Sequence, residues 1–226
     1  MLPKLYAIVD RETLDRRGVS VSAFAEELLG GGVRLLQYRD KVGGPQEVLR
    51  AASEIAAVFE GVEATLILND RADLAALLGW GVHVGQGDLS PEDAKAIARG
   101  AIPTLATMKP SRRWGNRDRG GAVVGVSTHN DEQVGVAEVS EADYVAVGPV
   151  FGTSTKLDAE PVVGLEGVRR ARALTRKPLV AIGGITLANA RSVVDAGADS
   201  VAVIGGLFVP GRTVGEVARD FLEILR

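Results

Sequence analysis

The chain has 226 residues, 46% of them hydrophobic, and its 26 basic and 29 acidic side chains leave a net charge of -3. That length allows one large α/β core, and that charge gives no field to draw in nucleic acid or an anionic membrane. The absence of cysteine excludes disulfides, thiolate catalysis and sulfur-ligated metal, and two histidines are too few for a multi-histidine zinc site, which leaves oxygen ligands and hard cations.

The first strand is expected at LYAIVD (5–10), followed by DRETLDRRG, read as a loop without the glycine fingerprint of a doubly wound nucleotide fold. Phe24, Leu28 and Leu29 mark a helix closed by GGG at 30–32, and LLQYR (35–39) is the second strand, ending in the polar run Tyr38, Arg39, Asp40 and Lys41. Val48, Ala51, Ala52 and Ile55 mark the next helix, and TLILN (65–69) ends on Asn69 and Asp70. After a helix at Leu74, Leu77 and Leu78, GVHVG (81–85) runs on to Asp88, and Ser90, Pro91 and Asp93 start the helix of Ala94, Ile97 and Ala98. VVGVS (123–127) ends in Ser127, and YVAVG (144–148) leads to Thr153, Ser154, Thr155 and Lys156. Val168, Ala171 and Leu174 precede LVAIG (179–183), which opens on Gly183 and Gly184; Val193, Val194 and Ala196 precede SVAVIG (200–205); Val217, Phe221 and Leu222 close the series.

Eight near-continuous apolar runs alternating with helical segments predict a single (β/α)8 TIM barrel over 1–226, whose chemistry sits at the carboxyl ends of the strands. Residues 103–121 interrupt the pattern with a short strand candidate, TLATM, and a loop rich in Arg, Gly and Pro. The plain expectation is a solvated excursion; the sharper one is a lid whose Lys109, Arg112, Arg113, Arg117 or Arg119 reaches a polyphosphate. No apolar stretch approaches the roughly 20 residues of a membrane helix. MLPKLYAIVDRE lacks a signal-peptide pattern, so a cytoplasmic location is expected.

The strand-end clusters suit phosphate and metal. Gln37, Arg39 and Lys41 are spaced to project one way, and a guanidinium fork beside an ammonium matches multiply charged oxygens, with Lys156 a third cation. The competing role for Arg39 and Lys41 is a surface ion pair with Asp40. Asp70 and Asp88 with phosphate oxygens would make an Mg²⁺ site, although either alone reads as a cap or turn residue. The glycine pairs Gly183 with Gly184 and Gly205 with Gly206 allow backbone N–H groups to approach a monophosphate. His83 reads as a hydrogen-bonded core residue, and His129 lacks the acid a Ser/His hydrolase needs. General bases are scarce and cations abundant, which points to a reaction limited by stabilising a departing anion.

The strings LYAIVD, QYRDK, LNDRADLA, GVHVGQGDL, GVSTH, DYVAVGPVFGTSTK, GLEG, VAIGGI and GADSVAVI, in this order, resemble the thiamine phosphate synthase (thiamine-phosphate pyrophosphorylase) family nearly end to end. QxRxK and GPVF followed by TxTK are the most specific. The resemblance implies a barrel transferase that joins hydroxymethylpyrimidine diphosphate to hydroxyethylthiazole phosphate, releasing pyrophosphate by a dissociative, carbocationic route. It implies that Gln37, Arg39, Lys41, Asn69, Ser127 and Lys156 hold the pyrimidine diphosphate, with Tyr38 and Asp40 in the same substrate cluster. It further implies that Arg39, Lys41, Ser127 and Lys156 carry catalysis, that Asp70 and Asp88 bind Mg²⁺, and that Thr153, Ser154, Thr155, Gly184, Ile204 and Gly205 contact the thiazole phosphate. Two departures stand out: Gly205 and Gly206 replace the usual Ser and Ala, and the loop at 103–121 is longer than usual. The rivals are a thiazole tautomerase-like sibling, which has His where this chain has Pro149, and a non-catalytic barrel that binds a phosphorylated ligand. The expected partners are small phosphorylated heterocycles, with neither nucleic acid nor membrane, and a homo-oligomer is compatible with the sequence.

Overall fold

The structure, a computed structural model, describes residues 2–99, 122–153 and 160–226. Its strands are β1 (Leu5–Asp10), β2 (Leu35–Arg39), β3 (Thr65–Asn69), β4 (Gly81–Val84), β5 (Val124–Thr128), β6 (Tyr144–Val147), β7 (Leu179–Ile182) and β8 (Ser200–Val203). All pair in parallel, in sequence order, and β8 closes on β1 through Leu5 with Val201 and Ala7 with Val203. The helices are α1 (Arg11–Arg17), α2 (Val21–Gly30), α3 (Pro45–Val58), α4 (Ala72–Leu78), α5 (Pro91–Ala98), α6 (Asp131–Val139), α7 (Gly164–Leu174), α8 (Ala190–Asp195) and α9 (Val214–Ile224).

Strand alternation sorts the side chains into two cores. Leu5, Ala7, Val9, Leu36 and Tyr38 point outward and pack under helix residues such as Phe24, Leu28 and Phe221. Tyr6, Ile8, Leu35, Ile67, Tyr144, Ala146, Val180 and Ala202 fill the barrel. Gly125 makes room there, since a Cβ on it would lie 2.0 Å from the Tyr144 ring.

Two helices were not legible in the sequence. DRETLDRRG is helix α1 rather than a loop: Asp10 caps it by accepting from the Thr13 N–H, Glu12 lies in the first turn, Arg16 and Arg17 in the last, and Gly18 ends it at φ 65°. Helix α6 shows no clear apolar stripe because only Val134 and Ala137 are buried, while Val136 and Val139 are exposed. Strand β8 stops at Val203, two residues short of the expected end, because Gly205–Leu207 turns into a short 3-10 helix. The strand candidate TLATM, the lid candidates Lys109, Arg112, Arg113, Arg117 and Arg119, and the site candidates Ser154, Thr155 and Lys156 lie outside the described residues.

Candidate active site

The strand register brings Asp10 at the end of β1 beside Arg39 at the end of β2. Arg39 Nη1 meets Asp10 Oδ1 at 2.5 Å, with the two side chains 13% and 2% exposed. Asp10 Oδ2 accepts from the Thr13 hydroxyl at 2.6 Å and the Thr13 N–H at 3.1 Å, so the carboxylate is held by α1 and in turn holds the guanidinium. Gln37, two residues back, faces the same interior.

Two residues expected to touch substrate are not brought there. Tyr38 falls between Gln37 and Arg39, so alternation turns it outward into the strand–helix core. Asp40 forms no ion pair with Arg39 or Lys41. It accepts instead from the Tyr38 hydroxyl at 3.0 Å and from the N–H groups of Val42 and Gly43 at 3.0 and 2.7 Å, fastening the turn after β2.

At the end of β3, Asn69 reaches the cavity and donates through Nδ2 to Asp70 Oδ2 at 2.6 Å, and the Lys41 ammonium pairs with the same oxygen. Asp70 has φ 61°, a conformation side-chain-bearing residues rarely adopt, and its N–H is tied to His83 O at 2.7 Å. It does not cap α4, whose N-cap is Arg71. Asp88 Oδ2 accepts from Gly85 N–H at 2.9 Å, closing the turn after β4. Burial most of all pushes the Asp70 carboxyl above its ordinary range; Lys41 pulls it down, and the adjacent Asp88 carboxylate pushes it up again. The Lys41 ammonium offsets part of the repulsion between the two carboxylates, and the remaining carboxylate oxygens are hard donors. A hard cation held by one or two carboxylates and completed by water and ligand phosphate therefore fits this donor set.

Ser127 and His129 come from β5 and the residue beyond it. Ser127 Oγ lies 2.8 Å from His83 Nε2, and His129 Nδ1 donates to Gly148 O at 2.6 Å, joining the loops after β5 and β6. Across the barrel, Gly183 and Gly184 adopt φ 103° and 64°. A Cβ on Gly184 would lie 2.5 Å from Gly152 O, and one on Gly206 would lie 2.3 Å from Ile185 O, so the loops after β6, β7 and β8 interlock through missing side chains.

One cavity of about 330 Å³ opens among these groups. Gln37, Arg39, Asn69 and Ser127 line it on one side, and Thr153, Gly184, Ile204 and Gly205 line it as well. Lys41 and Asp70 are attached to its rim through Asn69. Tyr6, His83, His129 and Glu160 also face it, and the sequence reading gave none of them a role at the site. Alternation along β1 carries the overlooked signal: Tyr6, Ile8 and Asp10 share the inward face, with the acid last, beside Arg39.

A sequence model of the family described as thiamine monophosphate synthase matches residues 5–111 and 116–207. A thiamine-phosphate synthase of Koribacter versatilis is 48% identical over 227 residues, covering 99% of this chain and 96% of that protein. One of Methanoregula boonei is 39% identical over 91% of this chain and 86% of its own length. A solved thiamine phosphate pyrophosphorylase from Pyrococcus furiosus is 30% identical and superimposes with a TM-score of 0.77, covering 98% of this chain and 95% of that one.

Proposed function

The chain belongs to the thiamine monophosphate synthase family, and on that premise we propose that its cavity joins hydroxymethylpyrimidine diphosphate to hydroxyethylthiazole phosphate, giving thiamine phosphate and pyrophosphate. One observation carries the assignment of ends. The cavity lies between a cation-and-carboxylate group on β2 to β4 and a glycine corner on β7 and β8, and so offers separate seats for two phosphorylated molecules.

In this reading Arg39, Lys41 and Lys156 neutralise the diphosphate as it departs with the electron pair of its C–O bond, while Asn69 and Ser127 hold its heterocycle and oxygens. Asp70 and Asp88 hold Mg²⁺, which when bound supplies further neutralisation of charge on the diphosphate. The methylene carbon left behind is a carbocation conjugated with the aminopyrimidine, and the thiazole nitrogen closes the new C–N bond with its own lone pair. No proton leaves the nucleophile, so this bond-forming step needs no general base. Ile8, Ala146, Val180 and Ile182 supply apolar wall that limits water near the cation. Thr153, Gly184, Ile204 and Gly205 seat the thiazole phosphate at the glycine corner, and the family resemblance assigns Ser154 and Thr155 to the same phosphate. A cytoplasmic location belongs to the same proposal and rests on composition; among the described residues no helix is long and apolar enough to cross a membrane.

The test is to mix both phosphorylated heterocycles with the protein and Mg²⁺ and to follow pyrophosphate and thiamine phosphate together. Stoichiometric release of the two products, abolished by EDTA and restored by Mg²⁺, is expected. Product formation unaffected by EDTA would remove the metal from the reading, and no product at all would remove the coupling reaction.

A further inference from the structure

Five polar side chains from five strands form one unbroken chain through the barrel interior. Gln37 Nε2 donates to Tyr6 Oη at 2.8 Å, and Tyr6 Oη lies 2.9 Å from Tyr144 Oη. Tyr144 Oη lies 2.8 Å from His83 Nδ1, and His83 Nε2 lies 2.8 Å from Ser127 Oγ. Gln37, Tyr6, Tyr144 and His83 are all under 10% exposed, and Tyr144 does not reach the cavity.

Proton bookkeeping gives this chain a direction. The Gln37 amide nitrogen brings only hydrogens, so the single proton of Tyr6 goes to Tyr144. Tyr144 then gives its proton to His83 Nδ1, which must present a lone pair. The His83 hydrogen therefore sits on Nε2 and is donated to Ser127 Oγ. With its oxygen accepting from His83, Ser127 has its own O–H proton left for the cavity. With the Gln37 amide nitrogen toward Tyr6, the reverse direction would leave the two facing each other donor to donor, a costly arrangement in a buried site. Burial is the main force raising both phenols above their ordinary range, so each keeps the proton the direction requires.

We propose that Tyr144 and His83 are positioning residues that carry the donor sense of the Gln37 amide to Ser127, fixing the Ser127 hydroxyl as a hydrogen-bond donor toward an acceptor atom of the pyrimidine diphosphate. This deepens the function proposed above and rests on its placement of Ser127 at that substrate. A hydroxyl already aimed at its acceptor needs no reorientation when charge develops, whereas a free rotor must be ordered first.

The tautomer is testable without substrate. The chain has two histidines, so ¹⁵N-labelled protein gives two imidazole spin systems, assigned with His129→Gln. A long-range ¹H–¹⁵N spectrum is expected to show His83 protonated on Nε2 alone; protonation on Nδ1 alone, or on both nitrogens, overturns the proposal. The kinetic arm is a double-mutant cycle. Tyr144→Phe is expected to lower kcat about tenfold, with the KM for thiazole phosphate unchanged, and to cost less than about twofold when added to Ser127→Ala. The same loss in both backgrounds, or no loss in either, overturns the relay. If Tyr144→Phe does not fold, Tyr6→Phe takes its place in the cycle. A Ser127→Ala enzyme with full activity would instead strike at the placement of Ser127, while the tautomer spectrum still judges the direction of the chain.

Discussion

Replacing Arg39 with Gln separates what the guanidinium does for the fold from what it does for the reaction. It leaves the Asp10 carboxylate, 2% exposed, without its cationic partner. Breaking a buried pair in this way costs about 3–5 kcal/mol. Asp10 keeps both bonds from Thr13, and Arg39 lines the cavity, where water can enter its place, so the cost falls to the bottom of that range or just below it. A loss of about 2–3 kcal/mol is expected, equivalent to roughly 5–10 °C in Tm for a chain of this size. Activity should fall further in proportion, by on the order of 10²- to 10³-fold, because one preorganised donor to the leaving group is gone. Asp10→Asn provides the contrast: it retains a side-chain cap for α1 and leaves the guanidinium at the cavity, so it should destabilise by about 1 kcal/mol and lower kcat less than tenfold. Urea titration and pyrophosphate release measured on both variants decide the matter. An Arg39→Gln protein within about 0.5 kcal/mol of the parent, or an Asp10→Asn enzyme as inactive as Arg39→Gln, would refute the reasoning.

Gly184→Ala and Gly206→Ala place a Cβ against backbone oxygens at 2.5 and 2.3 Å, so each should raise the KM for thiazole phosphate at least about tenfold and leave that for the pyrimidine diphosphate nearly unchanged. A change confined to the pyrimidine substrate would show that the corner is misassigned. Lys156→Ala should lower kcat by on the order of 10²- to 10³-fold with an unchanged circular dichroism spectrum, and a near wild-type rate would withdraw Lys156 from the leaving-group set. The Thr175 hydroxyl, first, and the backbone N–H groups of Arg176 and Lys177 hold the Glu138 carboxyl below its ordinary value of 4.5. Because the folded value is depressed, this bond stabilises the protein above pH 4.5 and is lost as pH falls below it. Glu138→Gln should therefore flatten the acid limb of Tm against pH, by a small amount because the group is exposed; an unchanged limb would deny the linkage.

Much of the architecture was written in local pattern. Runs such as LVAI and YVAV, buried on both faces, state a parallel strand wherever they occur, and their alternation with amphipathic segments states a closed repeat. Position in that repeat was enough to bring Gln37, Arg39, Asn69, Ser127 and Gly184 to one cavity, because every strand delivers its carboxyl end to the same side. Helix α1 was hidden because seven residues with two buried side chains carry too little periodicity, although Asp10 and Gly18 mark both its ends.

What the sequence alone determined, then, was the fold and the side of the barrel where the polar strand ends meet, since both follow from spacings of two and of three to four residues along the chain. Partnership was decided only by the tertiary structure. Asp10 is assigned to Arg39 by a register between strands, Asp40 is drawn to the turn after β2 by two N–H groups, and Tyr6, Tyr144 and His83 meet only because closure brings β1, β4 and β6 around one interior. A hydrogen bond depends on distances within about 3 Å, and no local pattern holds that information for residues 138 positions apart.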